Sequence, residues 1–166
     1  MKAVITILFV SIAVLATAQT SVKVTTPAQP VAYGTPISLE NAKKILAAAE
    51  AYALSKQYTV AIAIVDAGSN LVAFERIDNT QLGSIEVALG KARTANNFKR
   101  PTKTFEDGVA GGGAGLRTLA VQGVYPIEGG EPIIDSNGKV IGGIGVSGMS
   151  STQDEEVTKA GLAAIK

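Results

Sequence analysis

Three-to-four spacing of apolar residues alternates with continuous apolar runs along this chain, and their order predicts its elements. Leu39, Ala42, Leu46, Ala49 and Ala53 recur at spacings of three and four. That period predicts a helix running from a Ser38 cap to about residue 56, with Glu40 in its first turn. "YTVAIAIVD", residues 58–66, is apolar on both faces and predicts a buried central strand. "AGSN" then turns the chain into an antiparallel partner, "LVAFER", residues 71–76. A second helix over 83–98 is expected to bury Ile85, Ala88, Leu89, Ala92, Ala95 and Phe98. "KRPT" breaks it, and Thr102 stands where it could cap a short third helix. "AGGGAGLR", residues 110–117, is expected to be a glycine-rich loop. Beyond it, "VYPIEGGEPIID" and "KVIGGIGVSG" predict strands joined at Ser136-Asn137-Gly138, where Asn137 and Gly138 both tolerate positive φ. A last helix is expected near Ser151, with Asp154 completing a variant capping box and Val157, Ala160, Gly161, Ala164 and Ile165 on its apolar face. The order α-β-β-α-α-β-β-α places two hairpins between helices, which predicts an antiparallel sheet and an α+β domain.

Two segments stand apart from this pattern. Residues 1–18 combine a basic Lys2, an apolar run from Ala3 to Leu15 and an Ala16-Thr17-Ala18 cleavage site. That is the pattern of a signal peptide, and the run is shorter than the roughly 20 residues a spanning helix needs. No cysteine follows it to accept a lipid. The expectation is an exported protein, periplasmic or extracellular, with no membrane insertion after cleavage. Residues 19–36, rich in Thr, Pro and Val without a sustained period, are expected to form an extended arm ahead of a domain covering 37–166.

Charge changes the picture little. Lys and Arg total 15 against 14 Asp and Glu, and loss of Lys2 leaves the mature chain neutral. Neutrality with few aromatics gives no reason to expect nucleic acid. Lys91, Arg93, Lys99, Arg100 and Lys103 come nearest to a basic patch, and helical spacing predicts that they form a solvated face. A mature chain of about 148 residues suits one domain burying about 68–70% of its unfolded surface.

The chain contains no histidine and no cysteine. That excludes zinc sites with N/S ligands, Ser-His-Asp and Cys-His systems, any His general base, and the commonest haem axial ligands. Chemistry is left to carboxylates, Lys, Arg, Tyr, hydroxyls, Met149 and the backbone.

Gly143-Ile144-Gly145-Val146-Ser147-Gly148 spells G-x-G-x-x-G. A dinucleotide fingerprint belongs on the first strand of a βαβ unit, whereas these glycines close a hairpin. They are better explained by close approach of a helix or backbone to the strand, with Gly148 permitting the turn beyond. "DAGSNLVAFERI", residues 66–77, lacks the acidic and glycine positions of a calcium loop. Glu128 and Glu131 flank a glycine pair that reads equally as a ligand-contacting bulge or a bend. Tyr33, Tyr58 and Tyr125 could ligate iron or donate hydrogen bonds, and each also reads as a packing residue.

"ISLENAKKILAAAE", "AIVDAGSNLVAFERID", "GSIEVALGKARTANNFKRPT", "IEGGEPI" and "GKVIGGIGVSGMSSTQDEEVTKAGLAAI" occur in that order. Together they resemble the GlcG/HbpS-like haem-binding family, which is related to the C-terminal domain of PduO-type corrinoid adenosyltransferases. The resemblance covers about residues 30–166. It implies a bacterial protein with a profilin-like α/β/α sandwich, usually assembled into oligomers, here a tetramer or higher. It also implies haem or tetrapyrrole binding, with exported members linked to haem or redox sensing. Relatives ligate haem iron through a histidine that this sequence lacks.

The resulting expectation is an exported haem- or tetrapyrrole-binding homo-oligomer rather than an enzyme, taking haem, if at all, without His or Cys ligation. Tyr, Met149, Lys, a hydroxyl, a carboxylate or water would have to meet the iron. Arg100 and Lys103 are candidate partners for propionates. The alternative is an oligomeric enzyme or binding protein for a small anionic metabolite. Its site would draw on Arg76, Asp78, Arg100, Glu128 and the amides around Gly129, Gly130 and Gly148. Met149, just past the glycine-rich strand, completes the candidate set. No metal site of protein ligands is expected.

Overall fold

The structure is a computed structural model that describes residues 30–165. The signal segment and most of the arm lie outside the described residues. Four helices and four strands follow in the predicted order: α1 (Leu39–Ser55), β1 (Ala61–Asp66), β2 (Leu71–Arg76), α2 (Ser84–Phe98), α3 (Lys103–Ala110), β3 (Gly130–Ile134), β4 (Val140–Ser147) and α4 (Ser151–Leu162). The strands form one antiparallel sheet in the order β2-β1-β4-β3. β1 and β4 are central, which is why their sequences are apolar on both faces.

The two faces of the sheet differ in side-chain size. Ile62, Ile64, Ile144 and Val146 point to one side and pack with Ile45, Ala49 and Val157 of α1 and α4. Ala61, Ala63 and Val65 point to the other side, toward Ala88 and Ala92 of α2. On that side β4 contributes Gly143 and Gly145, where an added Cβ would lie 2.3 Å from the Ala92 carbonyl oxygen and 2.2 Å from that of Ala88. The glycines of the G-x-G-x-x-G run therefore let a helix backbone rest on a strand backbone. This is an α+β fold with helices on both faces of an antiparallel sheet.

Several local expectations are corrected. In α1 the buried positions are Ala42, Ile45, Ala49 and Ala53, while Leu39 is exposed. In α2 Ile85, Leu89 and Phe98 are only partly buried, and Lys91, Thr94 and Asn96 are buried in their place. The glycine-rich stretch is not an open loop, since Gly113–Ala120 winds into a 3-10 helix. The last helix is capped by Ser150, whose side chain reciprocates with Gln153 in a capping box, rather than by Ser151 with Asp154. On its apolar face Val157 and Gly161 are buried, Ala160 and Ile165 are partly covered, and Ala164 is exposed.

The β3–β4 turn has only Gly138 at positive φ (74°), so Asn137 is not needed there. Asp135 fixes that turn by accepting the N–H groups of Asn137 and Lys139. Asp66 holds the β1–β2 turn in the same way, through Gly68 and Asn70, with Ser69 at φ 65°. Each hairpin is therefore a type I turn closed by a left-handed residue. Of the arm, Tyr33 forms a parallel bridge with Val140, and its hydroxyl donates to the Asn96 and Asn97 carbonyls.

Candidate functional site

Beneath one end of the sheet, α2, α4 and the start of β3 meet around a buried ion pair. Lys91 is 1% exposed, not part of a solvated basic face. Its Nζ donates to Asp154 Oδ2 at 2.9 Å and to the Val146 carbonyl at 2.8 Å. Helical spacing from Ala88 and Ala92 puts position 91 on the buried side, and Asp154, at the start of α4, supplies the counter-charge. The other oxygen, Asp154 Oδ1, accepts the Met149 N–H at 3.0 Å. Burial pushes the Asp154 carboxyl above the usual carboxylate range, against the pull of the Lys91 ammonium and the Met149 and Gly148 amides.

Gly129 and Gly130 lie on this pair. Gly129 has φ 112°, and a Cβ there would lie 2.8 Å from Asp154 Cβ and 3.0 Å from Lys91 Nζ. Its carbonyl accepts from the Val146 amide (2.8 Å) and the Thr158 hydroxyl (3.0 Å). Gly130 exchanges bonds with Thr102, which uses its hydroxyl for this rather than to cap α3. The Glu-Gly-Gly-Glu segment is thus a locked bend.

Glu128, 8% exposed, has its amide held by the Glu106 carboxylate. Its own carboxylate accepts one long bond, 3.4 Å, from Thr152. Of the predicted site residues, Lys103, Glu128, Gly129, Gly130, Gly148 and Met149 gather at this end of the molecule. Lys103 pairs with Asp107 at 2.7 Å and feels the charge of Glu128. At Gly148 a Cβ would meet the Thr59 carbonyl oxygen at 2.1 Å, so its part is close packing. Arg76 and Asp78 do not join the group. Arg76 ends β2, on the opposite edge of the sheet from Glu128, three strand spacings or about 14 Å away, and Asp78 follows in the turn beyond it.

Outside the junction lies a surface that sequence reasoning missed. α3 and the 3-10 helix pack on each other, with Gly115 against the Gly108 backbone, yet neither buries a single residue. Three-residue periodicity stacks Leu116 over Leu119, and they are 49% and 64% exposed. Val121 and Ile127 are exposed beyond them. Arg117 is exposed on the same helix and makes no ion pair among the described residues. Arg100 lies over the Phe105 ring at 5.7 Å and spends its Nε on the Phe98 carbonyl, leaving its remaining donors exposed. The legible signal was two leucines three apart in a segment too glycine-rich to bury them.

An open groove lies elsewhere on the surface. It has a volume of about 410 Å³ and runs along β3 beside Pro132, Ile133, Ile134, Leu162 and Ile165. Its charged residue is the anionic Asp135, and in the adjoining groove the ammonium of Lys44 is already paired with Glu40.

Comparison with known proteins fixes the class. The family model described as haem degrading protein HbpS-like matches residues 37–163. A 15.0 kDa protein encoded between dhaT and dhaS in Citrobacter freundii is 37% identical over 128 residues, spanning 76% of this chain and 89% of its own. Protein GlcG of Escherichia coli K12 is 34% identical over 111 residues, 67% of this chain and 81% of its own. Among solved structures, HbpS superposes with a TM-score of 0.73 at 30% identity, covering 86% of this chain and 99% of that one. A PduOC–haem complex superposes at 0.71 with 31% identity, covering 80% and 96%. The chain belongs to the HbpS-like family, the group that also contains GlcG.

The family brings haem into question, and the donor atoms here answer in two parts. Iron finds no imidazole or thiolate anywhere in the sequence. Tyr33 and Tyr52 spend their hydroxyls on the Asn96 and Asn97 carbonyls and on Glu156, and burial pushes both pKa values up, away from the phenolate an iron ligand requires. The Tyr125 ring lies flat on Gly90. These residues do not fit strong axial ligation. The periphery of a tetrapyrrole, an apolar plane bearing carboxylates, does match the chemistry of the exposed leucines and of the exposed guanidiniums of Arg117, on the same 3-10 helix, and Arg100, against Phe105 of α3.

Proposed function

We propose that this protein is an exported tetrapyrrole-binding protein that holds haem or a related macrocycle on the outer face of α3 and the 3-10 helix. The observation that carries this reading is the exposed Leu116–Leu119 pair on a 3-10 helix that also carries the exposed Arg117, in a family whose PduOC member forms a haem complex. Apolar area on an otherwise unburied segment favours a flat apolar ligand, and charge-assisted bonds from arginine favour its carboxylates. Lys103 and Glu128 lie at the junction end of this face. The metabolite-binding alternative loses Arg76 to the far edge of the sheet.

The signal segment supports export, with a mature N-terminus at Gln19, and export suits a role in haem or redox sensing outside the cytoplasm. The same uncovered face supports self-association, as a tetramer or higher. Intact-mass measurement of protein from the exporting host tests the first point, and a mass retaining residues 1–18 would refute it. Light scattering at micromolar concentration tests the second, and a single monomeric species would refute it. Haemin titration followed by absorbance tests the binding itself. Saturable binding that is lost in Leu116→Ser/Leu119→Ser, with unfolding unchanged, is expected; binding unaffected by that pair would move the site elsewhere.

A further inference from the structure

We infer that the site selects the macrocycle and its carboxylates and is indifferent to the central metal. This rests on the tetrapyrrole reading above. In haem proteins the axial ligand, commonly His, Cys or Met, gives the iron its grip and sets its properties. This chain withholds each such contribution. Histidine and cysteine are absent, and the two methionines are Met1 and Met149. Met149 is 36% exposed on the turn before α4, its amide tied to Asp154, so its thioether is solvated rather than aimed into an enclosed pocket.

The lysines offer no substitute. An ammonium has no lone pair to give, and Lys91 is committed to Asp154 and the Val146 carbonyl. Lys44, Lys103 and Lys159 are in ion pairs, and Lys99 donates to the Val31 carbonyl. Tyr58 packs against the core between the sheet and α1, and Tyr125 packs on Gly90, so what remains for an iron ion on the outer face is water or a weak oxygen donor. Binding energy must then come from the leucine face and from the guanidiniums of Arg117 and Arg100, which meet groups that metal-free and metal-bearing porphyrins share.

The experiment measures dissociation constants of the full mature protein for haemin, by absorbance, and for metal-free protoporphyrin IX, by its fluorescence, in one buffer. The expected result is two constants within about threefold of each other, less than 1 kcal/mol apart. The haemin spectrum should be high-spin and unchanged in Met149→Leu, and Arg100→Ala/Arg117→Ala should weaken both ligands by the same factor. Haemin binding tenfold or more tighter than the free base, or a low-spin spectrum, would overturn the inference while leaving tetrapyrrole binding intact. Failure of both porphyrins to bind would overturn the inference and the function together.

Discussion

Glycines crowd two regions of this molecule and do opposite work in them. In β4, Gly143 and Gly145 face α2, and any side chain there would collide with the Ala92 and Ala88 carbonyls. In the segment from α3 through the 3-10 helix, Gly108, Gly112 and Gly113 have nothing within 4 Å of where a Cβ would stand. The first set is absent side chain exchanged for backbone contact, and it brings the α2 backbone onto the sheet. The second set leaves a segment with no buried residue and two leucines turned to solvent. A surface free of packing duties can be given to a ligand, which is why the proposed site lies on the loose layer and the ion pair beneath the tight one.

That contrast can be broken at several points. Lys91→Met should cost the most, about 3–5 kcal/mol, because Asp154 is left as an unpaired buried charge beneath Gly129. Urea unfolding measures it, and restoring apolar balance with Asp154→Leu in the double variant should recover much of the loss. Gly145→Ala should follow at about 1–3 kcal/mol, since its Cβ meets backbone atoms on a rigid helix rather than a side chain that can turn away. Gly108→Ala should go the other way: its Cβ enters open space on a helix, and removing the glycine should stabilise by up to about 1 kcal/mol. If Gly108→Ala and Gly145→Ala shift the midpoint equally, the distinction between the two regions is wrong.

The smallest effect tests the other face of the sheet, where β2 meets α1. Burial first, and then the neighbouring Glu50 carboxyl, raises the Glu75 pKa above its usual 4.5. A carboxyl raised on folding binds its proton more tightly in the native state. Its contribution is therefore fully present below the unfolded value and is lost as pH rises through the folded one. Glu75→Gln should be more stable than wild type at neutral pH by less than about 1 kcal/mol. The advantage should vanish when unfolding is measured well below pH 4.5. A constant difference across that range would show that folding does not raise the Glu75 pKa.

Much of this was legible in the sequence, and for a local reason. The continuous apolar runs, the three-to-four spacings, the Asn- and Gly-bearing turns and the "KRPT" break depend on a few neighbouring residues, so they gave the element order and the antiparallel sheet. The glycines of "GGIGVSG" could be read as close-packing positions because nothing else explains glycine on both faces of a buried strand. Gly129, Gly130, Glu128 and Met149 could be singled out as unusual, but not assembled.

What tertiary structure alone decided concerns partners far apart in the chain. Lys91 and Asp154, 63 residues apart, read separately as a surface charge and a helix cap and become one buried pair. Thr102 reads as a cap and instead latches Gly130. Arg76 belongs with Glu128 by chemistry and is separated from it by the width of the sheet. Leu116 and Leu119 read as ordinary apolar residues until the fold leaves them uncovered. By itself the sequence determined the elements, their order and the absence of any nitrogen or sulfur ligand from histidine or cysteine. Burial and charge pairing are properties of what the folded chain brings alongside, so only the tertiary structure could decide which charges are sealed in and which apolar face is left open.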